Sequence, residues 1–266
     1  MTYMGKSKAH SRNNMKKWLA IFGLVASLAA FGNEPAPHCD QFMPYGYPTV
    51  TGHAHTTQLC RIAFYTLHDD QLKVPVYSVE LLLPENISGV NPRIDKFKAD
   101  PDLQATARAV PGDYVGSGYD KGHMAPVEDM RKDSAAMLQS FYMSNMVPQD
   151  PILNRGVWRE IEEHARKLAI SKNGVYVFTG PIFADRPIKT IGAGVAVPSH
   201  TFKVIIDKND GLAIGYIVPN TNVKGAMYKQ YAVPVVEVER VTGINFTPNL
   251  TSNQDGFKKT IGQALQ

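Results

Sequence analysis

One sustained helical pattern lies in the middle of a chain whose other patterned segments alternate like strands. Asp150 suits a helix N-cap and Pro151 the first helical position. Leu153, Val157, Ile161 and Leu168 give an apolar stripe, and Asn173-Gly174 ends the run. Strand-like segments cover 61–66, 73–83, Val175–Phe178, Phe202–Asp207, Leu212–Val218 and Val233–Val238. Lys208-Asn209-Asp210-Gly211 reads as a hairpin turn between two of them. Residues 85–120 are polar, broken by Pro and Gly, and long enough to suggest a functional irregular region. The pattern predicts an α+β fold, with a mainly antiparallel sheet core flanked by helices. At 266 residues and 44% hydrophobic, the chain has material for one large core. We expect an N-terminal arm over 33–59, a folded domain over 60–250 and a C-terminal tail over 251–266.

The N-terminus carries a second pattern. Residues 1–32 hold Lys6, Lys8, Arg12, Lys16 and Lys17 and no acidic residue, and Trp18–Gly32 is uncharged. A basic start, a short apolar run and the small residues Ala30 and Gly32 predict a signal peptide cut before Asn33, with Met15 as an alternative start. The competing reading is an uncleaved anchor, although the run is short for a membrane span. Cleavage implies an exported protein, periplasmic or extracellular, with no stable membrane association. It would also turn a net charge of +4 into 23 basic against 24 acidic residues, so affinity for a polyanion must come from a local cluster. Cys39 and Cys60 are the only cysteines. An oxidising compartment would let them bridge, and a reducing one would leave two thiols.

Three stretches carry groups able to do chemistry. In Asp120-Lys121-Gly122-His123, the glycine permits a tight turn or a close approach, and the imidazole can take a proton from water. Tyr142 to Gln149 follows. On the helix, Asn154, Trp158, Glu162 and Arg166 are spaced by four and so share a face. An amide oxygen and a carboxylate suit a hard cation, and an arginine grips phosphate. The plainer readings are a solvated Glu162–Arg166 pair and a structural His123. There is no His-Glu-x-x-His zinc motif, no Gly-x-Ser-x-Gly elbow and no phosphate-binding glycine loop.

Taken together, these residues resemble the DNA/RNA non-specific endonuclease family, which has a ββα-metal (His-Me finger) core. The similarity runs through Asp120–His123, Ser144-Asn145 with Pro148-Gln149, Asn154 with Trp158 and Glu162, Phe178–Pro181 and Pro198–Val204. The resemblance makes 60–250 the endonuclease domain. It implies His123 as general base, Asn154 as the direct ligand of Mg²⁺ (with Mn²⁺ able to substitute), and Glu162 as a partner of the metal's water shell. It puts Lys121 and Arg166 on the phosphate, Arg93 as an upstream phosphate-binding residue, and Asn145 close to the site. The family usually has Asp-Arg-Gly-His, so Lys121 is a departure that keeps the charge and loses the planar fork.

The implied activity is hydrolysis of DNA and RNA to 5′-phosphate products. Family members are often homodimers, and an inhibitor protein is an expected partner. Three alternatives stay open on the sequence. They are a binding module without catalysis, a phosphodiesterase for small or lipid phosphates, and a toxin effector with a cognate inhibitor. No base-reading module such as a helix-turn-helix is present.

Overall fold

The computed structural model describes residues 39–251, 254–260 and 265. The signal peptide expected over 1–32 lies outside them, as does part of the expected tail. Among the described residues no helix is long and apolar enough to cross a membrane. In chain order the strands are β1 (Thr49–Val50), β2 (Thr56–Cys60), β3 (Tyr65–Asp69), β4 (Val74–Leu82), β5 (Asp120–His123), β6 (Met146–Gln149), β7 (Val175–Ile182), β8 (Thr190–Ile191), β9 (Val195–Ala196), β10 (His200–Asp207), β11 (Ala213–Pro219), β12 (Ala232–Val233) and β13 (Ile244–Asn245). The α-helices are α1 (Pro84–Ile87), α2 (Ser134–Ser140), α3 (Pro151–Leu153), α4 (Arg159–Ser171) and α5 (Val235–Thr242).

Seven strands make one antiparallel sheet in the order β12-β11-β10-β7-β4-β3-β2. Strand alternation sorts its residues onto two faces, and both faces are covered. Tyr77, Val79, Phe178, Phe202, Val204 and Ile206 pack with Val235 and Val238 of α5. Val177, Ile205 and Ile214 pack on the opposite face with Leu153, Trp158, Ile161 and Leu168. The apolar stripe of the helix thus meets the sheet as its spacing predicts. The fold is α+β, as expected. β5 and β6 pair apart from the large sheet, and the helical segment follows directly, giving the ββα arrangement.

Three expectations are corrected. Val233–Val238 is not a strand beyond Val233. Pro234 precedes the first turn of α5, and Val235 and Val238, three apart, face the core together, so helical spacing overrides β-branched composition. The end of the expected arm, 56–59, belongs with Cys60 to the edge strand of the large sheet. Residues 61–64 are the turn between β2 and β3 rather than strand. The arm is also tied down by a disulfide between Cys39 and Cys60, at the end of that edge strand.

The irregular region is anchored by a buried ionic knot. Arg61 meets Asp100 and Asp102 and lies over the Tyr142 ring at 5.0 Å. Asp100 is fully buried and also accepts from the Ser144 hydroxyl. Lys98 N donates to Phe141 O at 3.2 Å and Met143 N to Lys98 O at 2.9 Å. These bonds fix Phe97 against Phe141, ring to ring at 5.1 Å. Breaking a buried pair by removing one partner typically costs about 3–5 kcal/mol. Asp100→Ala is expected to lower unfolding free energy by about that much in urea titration. A loss under about 1 kcal/mol would show that Asp100 does not anchor the region.

Candidate active site

The strand β5 brings Asp120, Lys121 and His123 to one cleft, and it pairs with β6 residue for residue from Asp120–Gln149 to His123–Met146. Gly122 is demanded by packing. A Cβ there would lie 2.2 Å from Gln149 Oε1, and Gln149 is fully buried. The close approach that the sequence allowed is therefore real, and it does not need a positive φ.

His123 packs against two aromatic rings, 5.7 Å from Phe97 and 5.2 Å from Phe141, centroid to centroid. Burial pushes its pKa down to about 3, with the Arg93 charge acting in the same direction. Its Nε2 is enclosed without a hydrogen-bond partner among the described residues, which leaves Nδ1 as the ring nitrogen open to the cleft. The loop after His123 is clamped by Asn145. Asn145 Oδ1 accepts from Ala125 N at 2.9 Å and from the Ser78 hydroxyl at 3.1 Å. Its Nδ2 donates to Ala125 O and Ser140 O. Asn145 is fully buried and does not line the cleft. The structure thus keeps it apart from the other expected site residues and makes it the clamp that holds the histidine loop on the sheet.

The helical segment opposite is interrupted. Asp150 caps α3 through Ile152 N and Leu153 N. A π-helical turn over Asn154–Trp158 then precedes α4, with Gly156 at φ −113° and ψ −111°. The strip expected from a spacing of four is therefore not regular. Asn154, Glu162 and Arg166 reach the cleft, while Trp158 is buried. The wider turn also brings Arg155 to the wall. Asp120 joins the two halves of the site. Its Oδ2 accepts from Asn154 Nδ2 at 2.9 Å and from Arg155 Nε at 2.8 Å, and its Oδ1 from Arg155 Nη2 at 2.7 Å. Burial opposes ionisation of Asp120, but these hydrogen bonds outweigh it and hold the pKa below the ordinary carboxylate value.

Beneath α4 lies a buried group of charges that sequence reasoning missed: Glu80, Asp129 and Lys203, beside Glu162 and Arg166. Arg166 Nη1 donates to Asp129 Oδ1 at 3.0 Å. Lys203 is 1% exposed, donates to Thr179 Oγ1 at 2.7 Å and lies 5.1 Å from the centre of the Trp158 ring. Burial pushes Glu162 up to about 7; Lys203 opposes the shift and Asp129 adds to it. The available signal was a charged residue inside an otherwise apolar strand, as Lys203 is between Phe202 and Val204.

The cleft encloses about 850 Å³. Its walls carry six cationic residues (Arg93, Lys121, Arg131, Arg155, Arg159, Arg166) against four acidic ones (Asp120, Glu128, Glu162, Glu163). All five arginines are paired with a carboxylate. Lys121 alone has no carboxylate in ion-pair range among the described residues. Its ammonium instead lies 5.0 Å from the Phe97 ring centre and 5.7 Å from that of Tyr114.

The donor set suits a hard divalent cation. Asn154 has its amide NH₂ tied to Asp120, while Oδ1 has no hydrogen-bond partner among the described residues. No cluster of three His, Cys, Asp or Glu among those residues could hold a metal. A cation here would take few protein ligands and keep most of its water, as a small hard ion does.

Comparison with known proteins agrees. Residues 41–253 match the family model described as DNA/RNA non-specific endonuclease. The chain belongs to the DNA/RNA non-specific endonuclease family. It is an endonuclease hydrolase of a class that depends on a divalent cation. Human "Endonuclease G, mitochondrial" is 35% identical over 213 residues, covering 74% of this chain and 72% of the relative. "Nuclease 1, mitochondrial" of Schizosaccharomyces pombe is 31% identical over 237 residues, covering 81% and 68%. A solved EndoG/EndoGI complex, titled for the mechanism of EndoG inhibition, superposes with a TM-score of 0.73 at 30% identity, covering 80% of this chain and 93% of that one. These relatives correct the expectation of export, because their names place them in mitochondria. The pattern that suggested a signal peptide falls on residues outside those described.

The two shifted groups make opposite contributions to stability in metal-free protein. Between the ordinary histidine value of 6.5 and about 3, the unfolded chain binds a proton that folded His123 refuses, so stability falls as pH falls through that window. Between 4.5 and about 7, folded Glu162 holds a proton that the unfolded chain releases, so stability falls as pH rises. In EDTA, His123→Gln is expected to flatten the acid-side loss and Glu162→Gln the neutral-side loss. Urea midpoints from pH 3 to 8 read both, and wild-type slopes in both variants would refute the assignments.

Proposed function

We propose that the chain is a Mg²⁺-dependent, sugar-non-specific endonuclease that hydrolyses DNA and RNA to 5′-phosphate products through residues of its 60–250 domain. The observation that carries this reading is one cationic cleft in which a neutral, aromatic-packed His123 and an Asp120-tethered Asn154 stand together. His123 Nδ1 takes a proton from a water molecule, and the oxygen of that water attacks phosphorus in line with the 3′ leaving oxygen. The P–O3′ bond breaks, the 3′ oxygen takes a proton from solvent and leaves as a 3′-hydroxyl, and the phosphate stays on the 5′ oxygen of the downstream fragment. Mg²⁺, or Mn²⁺ in its place, would be held by Asn154 and would stabilise the charge developing on the phosphoryl and leaving oxygens.

Asp120 takes the Asn154 NH₂ group, which leaves the amide oxygen as the atom that would hold the ion. Glu162 offers a carboxylate to the ion's water shell. Lys121, Arg166 and Arg93 hold non-bridging phosphate oxygens. Contacts of this kind address the backbone and not base edges, which explains cleavage without sequence preference. An inhibitor protein is a further partner, a reading supported by the EndoG/EndoGI complex of the solved relative.

General base catalysis typically contributes about 10²–10⁴-fold. His123→Ala is therefore expected to lower kcat on supercoiled plasmid and on total RNA by about that factor, with an unchanged circular dichroism spectrum. Asn154→Ala is expected to lose the Mg²⁺ dependence that EDTA exposes in the wild type. Full activity in His123→Ala, or an unaltered Mg²⁺ titration in Asn154→Ala, would overturn the respective role.

A further inference from the structure

The cleft wall at Tyr119 is shared. A second cavity, of about 330 Å³, opens on the other side of this residue, and Tyr119 lines both. Because Tyr119 directly precedes Asp120–His123, the second cavity begins next to the reacting groups. Its walls include Phe183, Ile188 and Val197. Lys189 stands at the shared boundary. Its ammonium donates to the Tyr119 hydroxyl at 3.0 Å and lies 4.9 Å from the ring centre.

The cavity is built onto the site rather than hung on a loop. Asn220, on its wall, donates to Pro148 O and Pro198 O at 2.9 Å each and accepts from Asp150 N at 2.8 Å. One amide therefore joins the cavity wall to β6 and to the cap of the helical segment that carries Asn154.

These surfaces separate by chemistry. A volume near the lower end of ordinary ligand pockets, with the aromatic side chains Tyr119 and Phe183 beside aliphatic and polar ones, suits one planar base and not a base pair. Asp185 is the one acidic residue on the wall and disfavours a phosphate deep inside. Lys189 at the boundary offers the charge for a phosphate that continues from the cationic cleft. Base stacking on an aromatic side chain tolerates any base, as a site without sequence preference requires.

Resting on the nuclease reading above, we infer that this cavity is a nucleotide subsite. It takes one unpaired nucleotide next to the scissile phosphate, with its base between Tyr119 and Phe183 and its phosphate on Lys189. The strand is then gripped beyond the reacting phosphodiester, and local unpairing is part of binding.

The test uses Lys189→Ala and Phe183→Leu in the full chain, neither of which touches the reacting groups. Two substrates are compared: a short single-stranded oligonucleotide, and bis(p-nitrophenyl) phosphate, which has no neighbouring nucleotide. Phe183→Leu is expected to raise KM for the oligonucleotide at least about 5-fold, the smaller effect of losing one stacked base, Lys189→Ala to raise it through the lost phosphate contact, and both to leave turnover of the small diester unchanged. Equal loss on both substrates, or no change on either, overturns the subsite. In parallel, the His123→Ala protein carrying Phe183→Leu is titrated with the labelled oligonucleotide by fluorescence anisotropy, and at least about 5-fold weaker binding than His123→Ala alone is expected. Unchanged binding there overturns the subsite even if the wild type cleaves nothing, whereas absent cleavage of all nucleic acid overturns the nuclease reading.

Discussion

The Asn145 amide is the interaction on which the geometry of the site depends. It sits where four pieces of chain meet: Ser78 on β4, Ala125 after the histidine, Ser140 at the end of α2, and β6, which it immediately precedes. Both of its donors and its oxygen are used, out of contact with water. An unmet polar group there would cost about 1–3 kcal/mol, so the clamp is satisfied as a unit or not at all. Ser78 also lies opposite Thr179, which lies opposite Lys203, on the sheet face that meets α4. A polar rung thus crosses the layer between the sheet and the helix. It links the loop of His123 to the charges under Glu162, so the two faces of the cleft share one rigid support.

That support explains why the charged groups can lie so deep. Lys203 has its hydroxyl partner and an aromatic face, and Arg166 has Asp129. Burying these ions is costly, and pairing them recovers part of the loss without favouring the fold strongly. What the arrangement supplies is placement: a guanidinium at Arg166 held by Asp129, and a half-buried carboxylate at Glu162 within the field of the Lys203 charge, both facing the cleft. Sites that need oriented groups commonly carry such unfavourable burial, with the surrounding core offsetting it.

Much of this was legible in the sequence where local chemistry acts alone. Asp150 and Pro151 started the helical segment as capping rules require, and Lys208–Gly211 made the expected turn. His123, Asn154, Glu162, Arg166, Arg93 and Lys121 came together in one cleft. Features fixed by tertiary partners were not legible. Residues 56–59 of the edge strand looked like an arm because their pattern is polar and their order comes from β3 and a disulfide. Val233–Val238 looked like a strand because β-branching masked an apolar spacing of three. Phe141 gave no signal, since its role is to face a histidine 18 positions earlier in the chain. The basic, acid-free N-terminus misled on export because organelle-directed segments share that composition.

The departure at Lys121 follows from the same physics. An arginine at this position would present a planar fork, and forks are held best by carboxylates, as the five arginines of the cleft are. Those pairings orient the guanidinium groups and also spend part of their charge. Lys121 is treated differently: two aromatic faces steer its ammonium without neutralising it. The point charge therefore stays available to an incoming phosphate beside His123. The aromatic residue that desolvates the histidine, Phe97, is the same one that steers the lysine. One side chain, fixed by the Asp100 knot through the Lys98 backbone, thus keeps the base neutral and aims the neighbouring cation.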